Sequence, residues 1–222
     1  MFDDILQFFD FEYALEILPQ LFEGLIVTVQ ASLVGFALAA VIGLLLALGR
    51  RSENDLIAQP VGAIVEFIRS TPLLVQLFFF FYVLPNYGIR LPAFVIGTIA
   101  LGLHYGTYTS EVYRAGIDAV DAGQWEAATA LNFSPLRVWI GIILPQAIPP
   151  MFPALGNYLV AMFKESALLA AITVTELLQT GQSIGTRNFR YLEPITLVGA
   201  LYFLISYPSS ILVRKLEARY AN

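Results

Sequence analysis

The chain has 222 residues, of which 58% are hydrophobic and only 13% are charged, with a formal net charge of -5. A soluble domain carries about 25% charged residues, so this composition excludes a water-facing globular surface and indicates an integral membrane protein. The absence of cysteine and the single histidine exclude disulfide scaffolds, thiolate metal sites and cysteine nucleophiles. The acidic balance argues against a nucleic-acid partner. Neither lysine follows a glycine, as the lysine of a phosphate-binding P-loop would.

The first 23 residues mix six acidic residues with several phenylalanines and contain no basic residue. A secretory signal peptide begins with a positively charged segment, so this pattern does not predict one. Residues 1–23 are predicted to form an amphipathic segment that lies on the outer surface of the membrane.

Five apolar stretches approach or exceed the roughly 20 residues that a membrane-crossing helix needs. They cover residues 25–48, 61–84, 94–112, 149–174 and 195–213. Placing the N-terminus outside leaves eight of the twelve basic residues in the cytoplasm, which is the distribution that membrane proteins favour. The sequence therefore predicts one all-α membrane domain over residues 1–222, with its C-terminus in the cytoplasm.

A long cytoplasmic connection, residues 114–147, separates the third and fourth predicted spans, and connections of this length are usually functional. Its stretch 123–131 is rich in helix formers and ends at Asn132, a residue that tolerates the left-handed conformation of a helix C-terminus. Small alanines leave one face of this short helix open to close approach by another surface. They are Ala127, Ala128 and Ala130. The segment is predicted to dock into a groove on a partner protein.

The same segment contains a characteristic spacing of acidic, small and apolar residues. Glu126-Ala127-Ala128, three residues, Asn132, nine residues and Ile142-Ile143-Leu144-Pro145 resemble the EAA-x3-G-x9-I-x-L-P loop of permease subunits of ATP-binding-cassette importers. Asn132 stands where the general pattern has glycine. Residues 67–77, 108–114 and 164–168 are similar to stretches of the polar amino-acid uptake branch. The closest likeness within that branch is to ectoine/hydroxyectoine permeases, through residues 82–85, 104–108, 123–128, 162–165 and 190–194.

This resemblance implies a type I importer permease fold with five transmembrane helices and a cytoplasmic coupling helix. It implies that the chain lies in the inner membrane. Its implied partners are two ATPase subunits, a second permease subunit that is identical or a paralogue, and an external solute-binding protein. The chain itself would do no chemistry and would need no cofactor and no metal. The implied ATPase-coupling residues are Gly123, Trp125, Glu126, Ala127, Ala128, Asn132, Leu144 and Pro145.

The implied activity is uptake of a polar amino acid or a similar compatible solute, with ectoine or hydroxyectoine as the main interpretation. The alternative is an importer of the same architecture for amino acids of the histidine, arginine, glutamine or glutamate type. A carrier that works without ATP is a more distant alternative, and it would need an ion-coupling site of its own.

Three polar residues share one face of the third predicted span, because His104, Tyr108 and Glu111 are spaced at i, i+4 and i+7. Polar groups in a bilayer are costly and usually face a cavity or a partner. One interpretation is that the three line the passage of a zwitterionic solute. The other is that Glu111 pairs with Arg114 while His104 bonds to a neighbouring helix.

Lys164 and Glu165 lie deep in the fourth predicted span, and adjacent helical residues point apart, so they cannot simply neutralise each other. They are candidates for a gate or a substrate contact, or for a structural bond at a helix break. A Lys164/Ser166 nucleophile pair of a membrane hydrolase would lack an oxyanion site and a second acid. Residues 69–72 are interpreted as a structural cap in preference to a ligand site, with Pro72 at the start of a new helical segment.

Overall fold

The protein is described by a computed structural model that covers residues 9–220, and no strand occurs among them. The α-helices follow one another along the chain. They are α1 (Phe11–Arg50), α2 (Asp55–Arg69), α3 (Leu73–Phe78), α4 (Ala93–Asp118), α5 (Ala122–Ala130), α6 (Pro135–Val138), α7 (Leu144–Glu165), α8 (Leu177–Asn188) and α9 (Leu192–Tyr220). Wider π-helical turns and tighter 3₁₀ turns extend some of them. These are Phe79–Val83 and Leu84–Tyr87 after α3, Trp139–Ile143 before α7, and Ser166–Ile172 after α7.

Three stretches of helix are long and apolar enough to cross a membrane, namely Phe11–Arg50, Pro135–Ile172 and Leu192–Arg219. A fourth is added if α2 and the segment Leu73–Tyr87 count as one broken span. The third predicted span lies within α4, whose 26 residues include buried threonines and a buried histidine that lower its hydropathy. The predicted count of five spans is therefore not confirmed by length and hydropathy, and it stays a prediction.

The second predicted span, residues 61–84, is not one straight helix. Its two halves meet at a bend of 102° between Arg69 and Leu73. Pro72 has no amide hydrogen with which to continue the hydrogen-bond ladder of α2, and it stands at the cap position of α3 as predicted. The Gln76 side chain holds the bend, because its Nε2 donates to the carbonyl oxygen of Ile68 at 2.8 Å and to that of Thr71 at 3.1 Å.

The N-terminal part of the described chain differs from the predicted surface segment. Helix α1 begins at Phe11 and passes residue 23 without a break, so residues 11–23 continue the first membrane-crossing helix. Ile17 and Leu21 are buried in a cluster with residues of α8 and α9. This packing makes the start of α1 part of a helical bundle. Residues 1–8 of the predicted segment lie outside the described residues.

A buried carboxylate fixes the start of α8. Glu176 is fully buried and caps α8, where its oxygens accept from the backbone N–H groups of Leu178 at 2.9 Å and Gln179 at 2.8 Å. The hydroxyl of Tyr202 on α9 donates to the same carboxylate at 2.5 Å, and Thr28 on α1 approaches at 3.4 Å. Since buried charges are tolerated only when they are hydrogen-bonded, this arrangement joins α1, α8 and α9.

A second polar contact lies beyond the other end of α8. Arg190, between α8 and α9, donates to Asp10 at 3.3 Å and to the buried Glu193 at 2.7 Å. The backbone N–H of Tyr13 holds the pKa of the Asp10 carboxyl below its ordinary value, and Arg190 lowers this pKa further. Asp10 therefore remains ionised at neutral pH and continues to cap α1.

Helices α1 and α4 approach closely along their length. A Cβ atom added to Gly43 would lie 2.0 Å from the hydroxyl oxygen of Thr109, so only glycine fits at this position. The Thr109 hydroxyl donates across the contact to the carbonyl oxygen of Ala39 at 2.8 Å. Small residues and such interhelical bonds are the usual means of packing helices in a membrane. The contact fixes the depth and rotation of α4, which carries His104 and Tyr108.

The fourth predicted span, residues 149–174, begins too late. The helical stretch starts at Pro135, passes through a π-helical turn and reaches Ile172, so Pro149 and Pro150 lie inside α7 instead of at its start. Prolines are tolerated in membrane helices where neighbouring groups satisfy the freed carbonyls. The connection between the membrane helices is correspondingly shorter than the predicted loop of residues 114–147, because α4 continues to Asp118 and helix resumes at Pro135.

Candidate functional site

A polar cavity of about 440 Å³ opens between the bend that follows α2, the middle of α4 and the end of α7. A second cavity of about 240 Å³ shares three lining residues with it, and these are His104, Tyr108 and Glu165. All three were predicted from the sequence to lie on the substrate path. The fold therefore brings residues from two separate helices to the same polar space.

His104 satisfies both interpretations of its role. Its side chain is buried and lines both cavities, while its Nδ1 lies 3.1 Å from Nε2 of Gln76 on α3. His104 thus bonds to a neighbouring helix and still presents a ring to the cavity.

Aromatic rings form one wall of the smaller cavity. The centroids of His104 and Tyr108 are 5.3 Å apart, and Tyr108 lies 5.8 Å from Tyr158 of α7. Tyr105 lies 5.9 Å from Tyr158 and closes the group. Tilted contacts at these distances are favourable for aromatic pairs, so the wall has a defined shape. Tyr158 precedes Glu165 by seven residues, a spacing that places both on the same face of α7 and could have been found in the sequence.

Glu165 and Lys164 point to different places. Glu165 is half-buried and lines both cavities. Lys164 is exposed and lines neither of them. The α-helix ends at Glu165, where the 3₁₀ turn begins, so this carboxylate sits at a break in the helix. Of the two predicted residues, Glu165 therefore faces the cavities, whereas Lys164 does not.

Glu111 takes part in an ion-pair cluster beside the cavities and does not line them. Its carboxylate forms ion pairs with Arg50 of α1, with Arg114 at 3.0 Å and with Arg69 of α2 at 3.7 Å. The pairing with Arg114 is the alternative that the sequence offered. Glu111 thus links three helices at the end of the cavity.

Arg69 was interpreted from the sequence as part of a structural cap in preference to a ligand site. It lines the larger cavity, and its guanidinium carbon lies 5.2 Å from the centroid of the Tyr108 ring. Residues 69–72 do contain a structural cap, as interpreted, but Arg69 also faces the polar space. An ionisable residue beside a helix break in an apolar chain is itself a signal of function, and that signal could have been used.

Helix α5 is a separate feature on the long connection. The side chain of Asp121 caps it by accepting from the N–H of Gly123 at 2.7 Å. Asn132, just after the helix, has a φ of 54°, the left-handed conformation that the sequence predicted for it. Nine residues are too few for an isolated helix to be stable, so tertiary contacts must hold α5.

These contacts alter the predicted docking face. Ala128 is buried at 1% exposure, and Trp125 packs edge-on against Trp139 with centroids 5.2 Å apart. Ala128 therefore faces the rest of this chain, not a partner, whereas Glu126 and Ala127 are exposed. Of the other predicted coupling residues, Gly123 lies on α5, whereas Leu144 and Pro145 begin α7. Gly123 and Pro145 are exposed, and Leu144 is half-buried at the start of α7.

Comparison with known proteins decides the family. Residues 39–222 match the model of the binding-protein-dependent transport system inner membrane component. This chain belongs to that family. It is a membrane-embedded permease subunit of an ABC importer, in which ATP hydrolysis is the task of a separate subunit.

Three similar proteins cover nearly the whole chain. "Probable amino-acid ABC transporter permease protein y4tG" of Sinorhizobium fredii is 48% identical over 91% of this chain and 87% of its own length. The L-cystine transport system permease protein TcyB of Bacillus subtilis is 33% identical over 90% of this chain and 87% of its own length. A crystal structure of an amino acid ABC transporter with histidines superposes with a TM-score of 0.89. It is 36% identical and covers 95% of this permease and 99% of that chain.

Proposed function

We propose that this permease moves a polar amino acid, delivered by an external solute-binding protein, through the path that includes the cavity between α4 and α7. The observation that carries the proposal is the set of polar side chains around that cavity, in which Glu165 and Arg69 supply opposite charges. A zwitterion needs both charges to replace its lost water. The aromatic wall around Tyr108 supplies apolar contact for a side chain.

The substrate class follows the names of the relatives. They concern amino acids, among them L-cystine, and the similar crystal structure contains histidines. These names support the alternative, an importer of amino acids of the histidine, arginine, glutamine or glutamate type, better than the ectoine interpretation. The permease therefore takes a polar amino acid as its substrate in this proposal.

The proposed assembly has two permease subunits, two ATPase subunits and the external binding protein. The exposed side of α5, with Glu126 and Ala127, docks in a cleft of the ATPase on the cytoplasmic side. Closure of the ATPases on ATP moves α5 and α7 and favours the outward-open state, because ATP binds that state better. The N-terminus lies outside and the C-terminus lies in the cytoplasm.

The path is tested with His104→Ala and Tyr108→Ala in the complex reconstituted with its ATPase and binding protein. Both variants should lower uptake and substrate-stimulated ATP hydrolysis by about 10-fold, the effect of removing roughly 1.4 kcal/mol of interaction, while the subunits still co-purify. Tyr207→Ala is the control, because Tyr207 is exposed on α9 and lines neither cavity. Wild-type uptake by both cavity variants would contradict the proposed path.

A further inference from the structure

The guanidinium of Arg69, at the edge of the cavity, has N–H groups that donate no hydrogen bond within the described part of the chain. Its contacts within the described part of the chain are the face of the Tyr108 ring and a Glu111 oxygen at 3.7 Å. Neither contact is a hydrogen bond, since a bond of this kind requires about 3.2 Å or less. The side chain is 35% exposed, and it lines the cavity itself. A planar fork of five N–H donors is thus available to a ligand.

Glu111 cannot neutralise Arg69, because other arginines hold the same carboxylate. Arg50 and Arg114 both donate hydrogen bonds to it. Three guanidinium groups therefore share one negative charge, and the cluster has a net charge of +2. These side chains are only 25% to 35% exposed, so water screens the excess positive charge incompletely. The end of the cavity near Arg69 is consequently attractive to an anionic group.

The opposite charge lies in the same cavity. Glu165 lines it from α7, across from the α2 side that carries Arg69. No arginine or lysine forms an ion pair with Glu165 among residues 9–220. The cavity therefore offers a positive and a negative group, each without a close partner of opposite charge in the described part of the chain.

We propose that Arg69 is the residue that binds the carboxylate of the transported zwitterion, with Glu165 facing its positively charged nitrogen. The guanidinium fork matches the two oxygens of a carboxylate and can bind them with two parallel hydrogen bonds. When the cavity is empty, Glu111 serves as the weak counter-ion that keeps the guanidinium at the cavity edge. The assignment rests on the proposed function, and it makes Arg69 a substrate-binding residue in place of a purely structural one.

The experiment first selects a probe and then measures its binding. Uptake of L-histidine, L-glutamine, L-cystine and ectoine into proteoliposomes identifies the transported compound, and each of these compounds carries a carboxylate. Binding of that radiolabelled compound is then measured on the detergent-purified permease–ATPase complex without the binding protein. Arg69→Gln should weaken binding by about 10- to 100-fold, the effect of losing a charged hydrogen-bonded pair. Arg69→Lys should fall between Arg69→Gln and wild type.

A matched control separates ligand binding from support of the cluster. Arg114→Gln removes a guanidinium that pairs with the same Glu111 but does not line the cavity, so it should bind the probe within about 2-fold of wild type. The decarboxylated analogue of the probe should bind Arg69→Gln and wild type equally. Equal probe binding by Arg69→Gln and wild type would overturn the assignment, as would equal losses in Arg69→Gln and Arg114→Gln. Failure of wild type to take up any of the four compounds would instead contradict the proposed function.

Discussion

Glu111 is an ion-pair partner of arginines from α1, α2 and α4, and its role is to hold these helices together beside the cavity. Glu111→Gln keeps the shape of the side chain but leaves three half-buried guanidinium groups without their shared anion. We expect the free energy of unfolding to fall by about 1–2 kcal/mol, since partial exposure reduces the full cost of a broken buried pair. Thermal unfolding of the purified complex, followed by tryptophan fluorescence, measures this change.

Asp118→Asn is the control for that measurement. Among residues 9–220, Asp118 pairs only with Arg51, and its side chain is 52% exposed. Its removal should cost little because exposed ion pairs contribute about 0–1 kcal/mol. Equal shifts in the two variants would mean that the three-helix pairing of Glu111 has no special weight.

Single cavity residues could be predicted from the sequence where a local pattern of polar residues marks them. His104 and Tyr108 stand out as polar residues at helical spacing in an apolar stretch, and both line the cavity. Arg69 could not be placed in the same way, because its position depends on the 102° bend between α2 and α3. Hydrophobic periodicity reports which face of a helix is apolar, but it does not report the angle at which two helices meet.

Helix α5 is the element on which the coupling hypothesis depends. Glu126→Lys reverses a charge on its exposed side, in the middle of the helix. If Glu126 accepts a bond from the ATPase cleft, its loss costs about 2–5 kcal/mol at the interface. Co-purification with the ATPase should then fall by at least 10-fold, while the fold of the permease is unchanged. Retained docking and uptake would show that α5 is only a connecting loop.

The turn after α5 supplies a matched pair of variants. Asn132 adopts a φ of 54°, which glycine reaches without strain and a β-branched residue does not. Asn132→Gly should therefore couple like wild type, whereas Asn132→Val should weaken ATPase docking. Loss of ATPase docking in Asn132→Gly would show instead that the Asn132 side chain contacts a partner.

The structure also separates the alanines of α5. Ala127 is exposed, whereas Ala128 is buried on the side of α5 that packs against the rest of the chain. The sequence analysis predicted that both alanines lie on one docking face. Nothing in a run of small residues indicates which side of a nine-residue helix is covered. The short helix, its cap and its left-handed end follow from local chemistry, whereas its orientation follows from the contact between Trp125 and Trp139.

The orientation predicted for the whole molecule places the N-terminus outside and the C-terminus in the cytoplasm. Because the wild-type chain has no cysteine, single substitutions give a clean test. Glu12 and Arg219 are both exposed and lie near opposite ends of the chain. In intact cells, a membrane-impermeant maleimide should label Glu12→Cys and leave Arg219→Cys unlabelled until the membrane is opened. Labelling of Arg219→Cys from outside would contradict the predicted orientation and the odd number of spans.

At this largest scale, the EAA-like spacing was sufficient to indicate an importer permease, and the family match confirms it. The preference for ectoine was not supported, because it rested on short similar stretches while the named relatives concern amino acids. Substrate choice depends on a few side chains and on the external binding protein. Local resemblance therefore constrains it much less than it constrains the fold.

In the proposed function, this chain conducts a polar amino acid only when ATP drives it through a bound ATPase. The most direct measurement is uptake of radiolabelled amino acid by proteoliposomes that contain the permease, the ATPase and the binding protein, with ATP or a non-hydrolysable analogue enclosed. We expect accumulation above the external concentration with ATP, and none with the analogue or with the Glu126→Lys permease. Equal uptake with and without hydrolysable ATP would contradict the account and identify the chain as a carrier.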